Sequence, residues 1–176
     1  MAKAETWAKL KHFKKTENWG DPDAINDEHL LRLDDFRSYL GCPIHVTHAV
    51  KNSGHSKKSF HYPRTNERGE QIGACATDIV IPTYDGSLID LILDATRFGF
   101  VGIGYYPHWT YRGVKVGGLH LDSRPLSWDL DETLNYSHSR WIGIVEDGIQ
   151  KYIPMTFQNL MKYACEIKDI DFNRVQ

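Results

Sequence analysis

The chain has 176 residues, of which 41% are hydrophobic and 25% are charged, and its formal net charge is −2. This length and composition predict one soluble globular domain with a core of its own, in which we regard residues 1–25 as an N-terminal extension. The near-neutral charge lacks the basic signature of nucleic-acid binding, and no apolar run is long enough for a membrane span. We expect a monomer.

The N-terminal segment is polar and contains five lysines within residues 1–15. It has no apolar central stretch and no small-residue cleavage site, so it does not resemble a signal peptide. We therefore expect synthesis in the cytoplasm. The three cysteines, Cys42, Cys75 and Cys165, are widely spaced and odd in number. This spacing fits neither a disulfide framework nor a thiolate metal site, so reduced, mostly buried thiols are expected.

The first predicted element is a helix over residues 26–40, which Asn26 or Asp27 can cap. Its apolar residues recur at helical spacing, and Gly41 and Pro43 follow as stop signals. A short strand is predicted over 44–48. The polar residues 49–73 show no apolar period and predict a long surface loop, a feature that is often functional in a compact domain.

A strand over 76–81 follows, and its alternation places Asp78 on the same face as Ala76 and Val80. Ser87 can cap a helix that ends at Gly99. The remaining elements are strands at 101–105 and 116–121, a hairpin formed by 140–145 and 150–153, and a helix at 156–166. These elements predict an α+β domain with a small, mainly antiparallel sheet and helices packed on it.

Charged and metal-binding side chains interrupt two of these apolar strands. Asp78 lies in the 76–81 strand, and His120 and Asp122 share one face of the strand at 116–121. A carboxylate in such a strand is costly unless it is paired, hydrogen-bonded or coordinated. If the two strands share a sheet face, these residues converge and the loop carrying His61 can close over them. The alternative is that each residue only satisfies local hydrogen bonds.

Two imidazoles and one carboxylate suit Zn²⁺ and leave a fourth position open for water, as in catalytic rather than structural zinc sites. His61, Asp78 and His120 are the candidate ligands of one zinc ion. His55 is a second candidate for the first position, but it lacks the Ser59-x-His61 context.

Several short motifs together resemble the zinc D-alanyl-D-alanine carboxypeptidase family, which includes vancomycin-resistance dipeptidases, bacteriophage endolysins and, more distantly, hedgehog signalling domains. The resemblance covers about residues 27–152 and is closest to the branch with a His-x-Asp segment followed by a Trp. The matching motifs are Ser59-x-His61, Ala76-x-Asp78-Ile79, Gly102-x-Gly104-x-Tyr106, His120-Leu121-Asp122 and Trp128.

The resemblance implies a hedgehog/DD-peptidase-like fold with zinc on His61, Asp78 and His120. It also implies hydrolysis of peptidoglycan stem peptides, by a D-Ala-D-Ala carboxypeptidase or an L-Ala-D-Glu endopeptidase. With no apparent signal peptide, a phage endolysin that reaches the cell wall after release by another protein is the expected context. Trp128 is expected to anchor the core beneath the site.

The chain departs from the family pattern at four places. Sixteen residues separate His61 from Asp78 where six are usual, so 62–73 contains an insertion. Ala74 replaces a usual Gly, and Lys51 replaces an Arg, which removes a planar bidentate group. Gly117 stands where many members have the Glu that acts as general base.

Asp122 is the predicted catalytic substitute for that base, or else a residue that orients a ligand imidazole. Lys51 is predicted to stabilise the oxyanion or to bind the substrate carboxylate. Ser59, Tyr106 and His108 are predicted to contact the substrate, although His108 also fits an ordinary surface position. A rival hypothesis, favoured by Gly117 and Lys51, is a non-catalytic zinc-binding interaction domain on the same fold.

Overall fold

The computed structural model describes residues 2–51, 59–65, 68–124 and 139–171, with side chains up to residue 164 in the last segment. The helices are α1 (Ala4–Lys9), α2 (Asp27–Leu40), α3 (Leu88–Arg97) and α4 (Phe157–Asp171), with a 3-10 turn at Pro22–Ala24. The strands are β1 (His45–His48), β2 (Arg64–Thr65), β3 (Gln71–Gly73), β4 (Ala76–Val80), β5 (Gly102–Tyr106), β6 (Thr110–Tyr111), β7 (Val114–Lys115), β8 (Gly118–Asp122), β9 (Ser139–Glu146) and β10 (Ile149–Pro154).

Six strands form the main sheet in the order β1-β4-β8-β5-β9-β10. Four of its five strand pairs are antiparallel, and only β5 and β9 run parallel. The α+β class with a mainly antiparallel sheet, predicted from the sequence, is therefore confirmed. Asp78 pairs with His120 across β4 and β8, and His120 pairs in turn with Gly104 of β5. This register places Asp78 and His120 side by side at the middle of the sheet.

One face of the sheet carries the main core. Ile79, Leu119 and Leu121 point to this face, and all are at most 2% exposed. Helix α2 covers them with Leu30 and Phe36, both fully buried. Burial of each large apolar side chain contributes about 1.5–3 kcal/mol, so this face anchors the strands. The opposite face, which we call the site face, carries the polar residues of β4 and β8.

The predicted boundaries of α2 are confirmed. The Asn26 side chain accepts a hydrogen bond from the His29 backbone N–H at 3.0 Å and caps the helix start. Gly41 ends the helix in the left-handed conformation, with φ of 66°, which a residue without Cβ adopts at low cost.

Residues 2–25 are part of the folded body. Trp19 and Ile25 are fully buried, and Phe13 is 3% exposed within the same core. The buried carboxylate of Asp34 on α2 accepts hydrogen bonds from the backbone N–H groups of Lys11 and His12 at 3.0 and 2.9 Å. The sequence indicated an extension here because these residues lack a periodic apolar pattern, yet their few large side chains complete the core.

The predicted loop over 49–73 contains regular structure. Strands β2 and β3 pair as a small antiparallel hairpin within the predicted insertion at 62–73. Strands β6 and β7 form another short hairpin that the sequence pattern did not reveal. Such two- and three-residue strands are too short to show an alternation.

Cys42 and Cys75 are free thiols, and burial raises the pKa of Cys75 to about 12. The side chain of Cys165 lies outside the described residues. Across the described parts of the chain, no helix is both long and apolar enough to cross a membrane.

Candidate metal centre

Three side chains meet on the site face with their ligand atoms in a tight triangle. His61 Nε2 lies 3.0 Å from His120 Nδ1 and 3.3 Å from Asp78 Oδ1, and His120 Nδ1 lies 2.9 Å from Asp78 Oδ1. A tetrahedral ion with bonds of 2.0–2.1 Å separates its ligands by about 3.3 Å. The triangle is therefore close to the spacing that a bound ion requires, and this His61-Asp78-His120 group could hold a metal ion.

Backbone pairing fixes two of these residues and a loop supplies the third. Asp78 and His120 are direct cross-strand partners, so their side chains emerge together. His61 follows β1 after residues 49–60, and its carbonyl accepts a hydrogen bond from the Lys51 N–H at 3.0 Å. Its own N–H is donated to Ser59 Oγ at 3.3 Å. These contacts tie the loop to the end of β1 and bring the imidazole over the sheet.

The second nitrogen of each imidazole faces an oxygen acceptor. His61 Nδ1 lies 2.5 Å from the carbonyl oxygen of Ala49, and His120 Nε2 lies 3.2 Å from Asp122 Oδ2. An N–H donated to each oxygen leaves the opposite nitrogen with a lone pair directed into the triangle. Metal-binding histidines commonly have such partners, which fix both the tautomer and the ring orientation.

The charges around His120 favour its protonated form when no ion is present. Burial alone would lower its pKa, but hydrogen bonds to Asp122 and Asp78 and their negative charges raise it to about 9. Burial would raise the pKa of Asp78, yet the hydrogen bonds from His120 and His61 hold it below the usual range. A bound cation and the His120 proton are therefore alternative ways to neutralise this carboxylate cluster.

Asp122 lies beneath the triangle and is fully buried. Arg124 Nε donates a hydrogen bond to Asp122 Oδ1 at 2.6 Å, and the Arg124 Nη2 contacts the other carboxylate oxygen. Burial opposes ionisation, but these bonds and the one to His120 lower the pKa of Asp122. Both carboxylate oxygens are thus engaged away from the cleft. Of the two predicted roles for Asp122, this geometry favours the orientation of His120.

The triangle opens into a cleft of about 660 Å³ that crosses the site face. The cationic lining residues are Lys51, which follows β1, and Arg124, which is paired with Asp122 and lies over Gly102 of β5. Towards β10, its lining is neutral and largely aromatic. The aromatic residues of the lining are Phe60, Tyr106, Trp109, Trp141 and Tyr152. The two ends of the cleft therefore suit different chemical groups.

The predicted substrate-binding residues fall into two places. Ser59, Tyr106 and Lys51 line the main cleft together with the three ligand residues. His108 instead lines a neighbouring depression, which also contacts Asp78 and Trp109. Tyr111 is not part of the main cleft lining and stacks on His45 of β1, with ring centroids 4.5 Å apart.

Some cleft residues were missed from the sequence. Arg124 was missed because nothing in the chain marks it as the partner of Asp122. Trp141 and Tyr152 alternate correctly on their strands, but their nearness to His120 depends on the order β8-β5-β9-β10. The sequence signal for them was the strand alternation alone. His55 and Trp128, the alternative ligand and the expected core anchor, lie outside the described residues.

A third buried histidine, His29, lies under the same strands on the core face. The two ring nitrogens of His29 lie 2.9 Å from Ser123 Oγ and 2.8 Å from Thr77 Oγ1. Burial lowers its pKa to about 3. His29 is therefore neutral and joins α2 to β4 and the end of β8.

Comparisons with known proteins do not assign the site to any family. No protein-family model, no curated protein and no solved structure matches the chain.

Proposed function

We propose that this protein is a zinc metallopeptidase that hydrolyses peptide bonds in peptidoglycan stem peptides, on a fold of the zinc D-alanyl-D-alanine carboxypeptidase type. The observation that carries the proposal is the triangle of His61 Nε2, Asp78 Oδ1 and His120 Nδ1 at the floor of an open cleft. Three protein ligands beside open space are typical of catalytic rather than structural zinc sites.

The donor set supports zinc over other common ions. Two imidazole nitrogens with a single carboxylate suit Zn²⁺, whereas Ca²⁺ and Mg²⁺ prefer sites built from oxygens. His61, Asp78 and His120 would hold the zinc ion, which would act as a Lewis acid for hydrolysis when bound. Asp122 acts as a positioning residue, because its carboxylate accepts a hydrogen bond from His120 Nε2 and so fixes the orientation of the ring. Arg124 keeps the Asp122 carboxylate ionised.

Residues around the triangle can bind an anionic peptide. Lys51, which follows β1, provides positive charge in the cleft that suits a substrate carboxylate or a developing oxyanion. Burial raises the pKa of Tyr106, so its hydroxyl stays protonated. This hydroxyl accepts a hydrogen bond from Trp141 Nε1 at 3.1 Å and is also hydrogen-bonded to Tyr152, so it forms part of a polar network on the cleft wall.

Proton transfer requires a base other than the ligand carboxylate. Among the described residues that line the cleft, Asp78 is the only carboxylate. His108 lines the depression on the other side of Asp78, and burial lowers the pKa of His108, so its imidazole is neutral at pH 7. We assign the proton-transfer role to His108.

The lack of a second carboxylate in the described lining also favours one rival function. A zinc-binding interaction domain on this fold needs the metal ligands but no general base. In that case the same cleft would bind a peptide without cleaving it.

The test is digestion of purified peptidoglycan and of isolated muropeptides by the zinc-loaded chain, followed by mass spectrometry. We expect a single type of peptide bond to be cut, with activity removed by a chelator and restored by zinc. The matched control is His45→Ala, which changes a histidine on β1 that stacks on Tyr111 away from the triangle.

His120→Ala should be inactive, while His45→Ala should retain most of the wild-type rate. If the chain holds one zinc ion and cuts no muropeptide bond, the peptidase proposal fails and the interaction domain is supported.

A further inference from the structure

Glycines on the site face create room for aromatic rings beside the metal centre. A Cβ at Gly104 would overlap the Trp141 ring, and a Cβ at Gly143 would overlap the ring of Tyr106. The Trp141 ring centroid lies 5.1 Å from that of His120. The rings therefore cover the backbone of β5 and β9 and extend the cleft floor away from the ligands.

The outer end of this floor lies on β10. Tyr152 pairs with Gly143, and Gln150 pairs with Val145, so both side chains belong to the site face. Tyr152 is 63% exposed, and its hydroxyl accepts a hydrogen bond from Gln150 Nε2 at 2.8 Å. An exposed aromatic ring next to an amide suits a ligand with both apolar and polar faces.

The charge distribution along the cleft identifies the class of ligand. The described lining contributed by β5, β9 and β10 is neutral, whereas the cationic residues are Lys51, which follows β1, and Arg124, whose guanidinium is paired with the Asp122 carboxylate. Neutral aromatic faces with amide and hydroxyl groups at the rim match an uncharged sugar ring, which presents C–H groups on its faces and hydroxyls at its edge. They do not match a second anionic peptide.

We propose that Trp141, Tyr106, Tyr152 and Gln150 form a saccharide platform that binds the glycan portion of the substrate. This inference rests on the proposed function, because it names the part of a peptidoglycan fragment that occupies the neutral end of the cleft. The peptide then extends from the platform across the metal triangle towards Lys51.

Distances along the sheet show which part of the platform the sugar reaches for each bond. Three strand spacings separate β8 from β10, which corresponds to about 14 Å. An extended residue spans about 3.3–3.6 Å, so the four residues before a D-Ala–D-Ala bond would carry the sugar to Tyr152 and Gln150 on β10. One residue before an L-Ala–D-Glu bond leaves the sugar over Trp141. The platform therefore fits the sugar in both cases.

The first experiment measures sugar binding without any hydrolysis. N,N′-diacetylchitobiose is titrated into the zinc-loaded, ¹⁵N-labelled full chain, and the tryptophan indole N–H resonances are followed. We expect Kd on the order of 1 mM, with shifts at Trp109 and Trp141 and none at Trp7 or Trp19. Absence of binding, or shifts confined to Trp7 and Trp19, would overturn the platform.

Three variants on β10, two tests and one control, provide a matched comparison. Tyr152→Ala and, separately, Gln150→Ala should each weaken chitobiose binding by about fivefold, since they remove one aromatic face or one amide from the platform. Lys151→Ala is the control, because its ammonium pairs with Glu146 at 2.7 Å and its side chain belongs to the other face of β10. Equal effects of the three substitutions would contradict the platform.

The second experiment separates this inference from the peptidase proposal. We expect kcat/KM for a disaccharide-linked stem peptide to exceed that for the sugar-free peptide by about tenfold, and Tyr152→Ala to reduce this ratio. Cleavage with equal kcat/KM for both substrates overturns the platform alone. Chitobiose binding at Trp141 with no cleavage of either substrate supports the platform and overturns the peptidase.

Discussion

Two buried histidines lie on opposite faces of the same strands and have opposite charge states. His29, on the core face, contacts two hydroxyl groups and has a pKa lowered to about 3. His120, on the site face, contacts two carboxylates and has a pKa raised to about 9. Burial is nearly the same for both, so the neighbours rather than the depth decide the protonation state.

Alternation along β4 creates this difference. Thr77 points to the core face and contacts His29, while Asp78 points to the site face and contacts His120. A hydroxyl group can hydrogen-bond a neutral imidazole, so His29 stays uncharged within the core. A carboxylate attracts a positive charge, which either a proton or a metal ion can supply.

The largest expected effect is the loss of zinc on removal of the site-face imidazole. His120→Ala should reduce bound zinc from about one ion per chain to less than about 0.1 after dialysis, because two ligands alone do not complete the site. His29→Gln should keep its zinc, since His29 lies on the other face. Elemental analysis of both variants, with folding checked by circular dichroism, measures the contrast. Loss of zinc in both would remove the distinction between the two faces.

The two histidines should give the metal-free protein opposite pH dependences. His29 has a lowered pKa, so the unfolded state binds one more proton below about pH 6.5 and stability falls with acidification by about 1.4 kcal/mol per pH unit. His120 has a raised pKa, so its contribution is complete below about pH 6.5 and is lost as pH rises towards 9.

We therefore expect the free energy of unfolding of the metal-free chain to peak near pH 6.5. Asp78 and Asp122 have lowered pKa values, so the stability that they contribute is lost only below about pH 4. Urea titrations between pH 4.5 and 9 measure both slopes. In His29→Gln the acidic slope should become shallower and the alkaline slope should persist; an unchanged acidic slope would contradict a neutral His29.

A smaller effect is expected from the residue that orients His120. Asp122→Asn should weaken zinc binding by about 10- to 100-fold, because it removes a charged acceptor from His120 and leaves Arg124 partly unpaired. A competition assay with a chelating dye measures the affinity. Unchanged affinity combined with complete loss of peptide cleavage would instead indicate that Asp122 is the general base.

The smallest effect concerns the hydroxyl partner of His29. Thr77→Val keeps the side-chain shape but leaves a buried imidazole nitrogen without its acceptor or donor, which should cost about 1–3 kcal/mol of stability. Its zinc content should stay at the wild-type value. A fall in zinc content at full folding would show that the two faces are coupled through β4.

Much of the fold could be predicted from local pattern. The cap and stop of α2, the hairpin of β9 and β10 and the alternation of β4 and β8 are read from neighbouring residues, and the structure confirms them. The short hairpins β2-β3 and β6-β7 could not be predicted, because two or three residues carry no period. The packing of residues 2–25 was also hidden, since isolated residues such as Trp19 bury themselves only when the core exists.

The candidate site divides in the same way. The sequence by itself determined which residue types can bind a metal and on which strand face Asp78, His120 and Asp122 lie, because side-chain direction alternates along any strand. Tertiary structure decided that β4 pairs with β8, that the His61 loop closes over them, and that Arg124 engages Asp122 and turns it away from the cleft. It also decided that Trp141 and Tyr152 lie beside the ligands. These outcomes depend on strand order and loop closure, which are set by packing between residues distant in the chain.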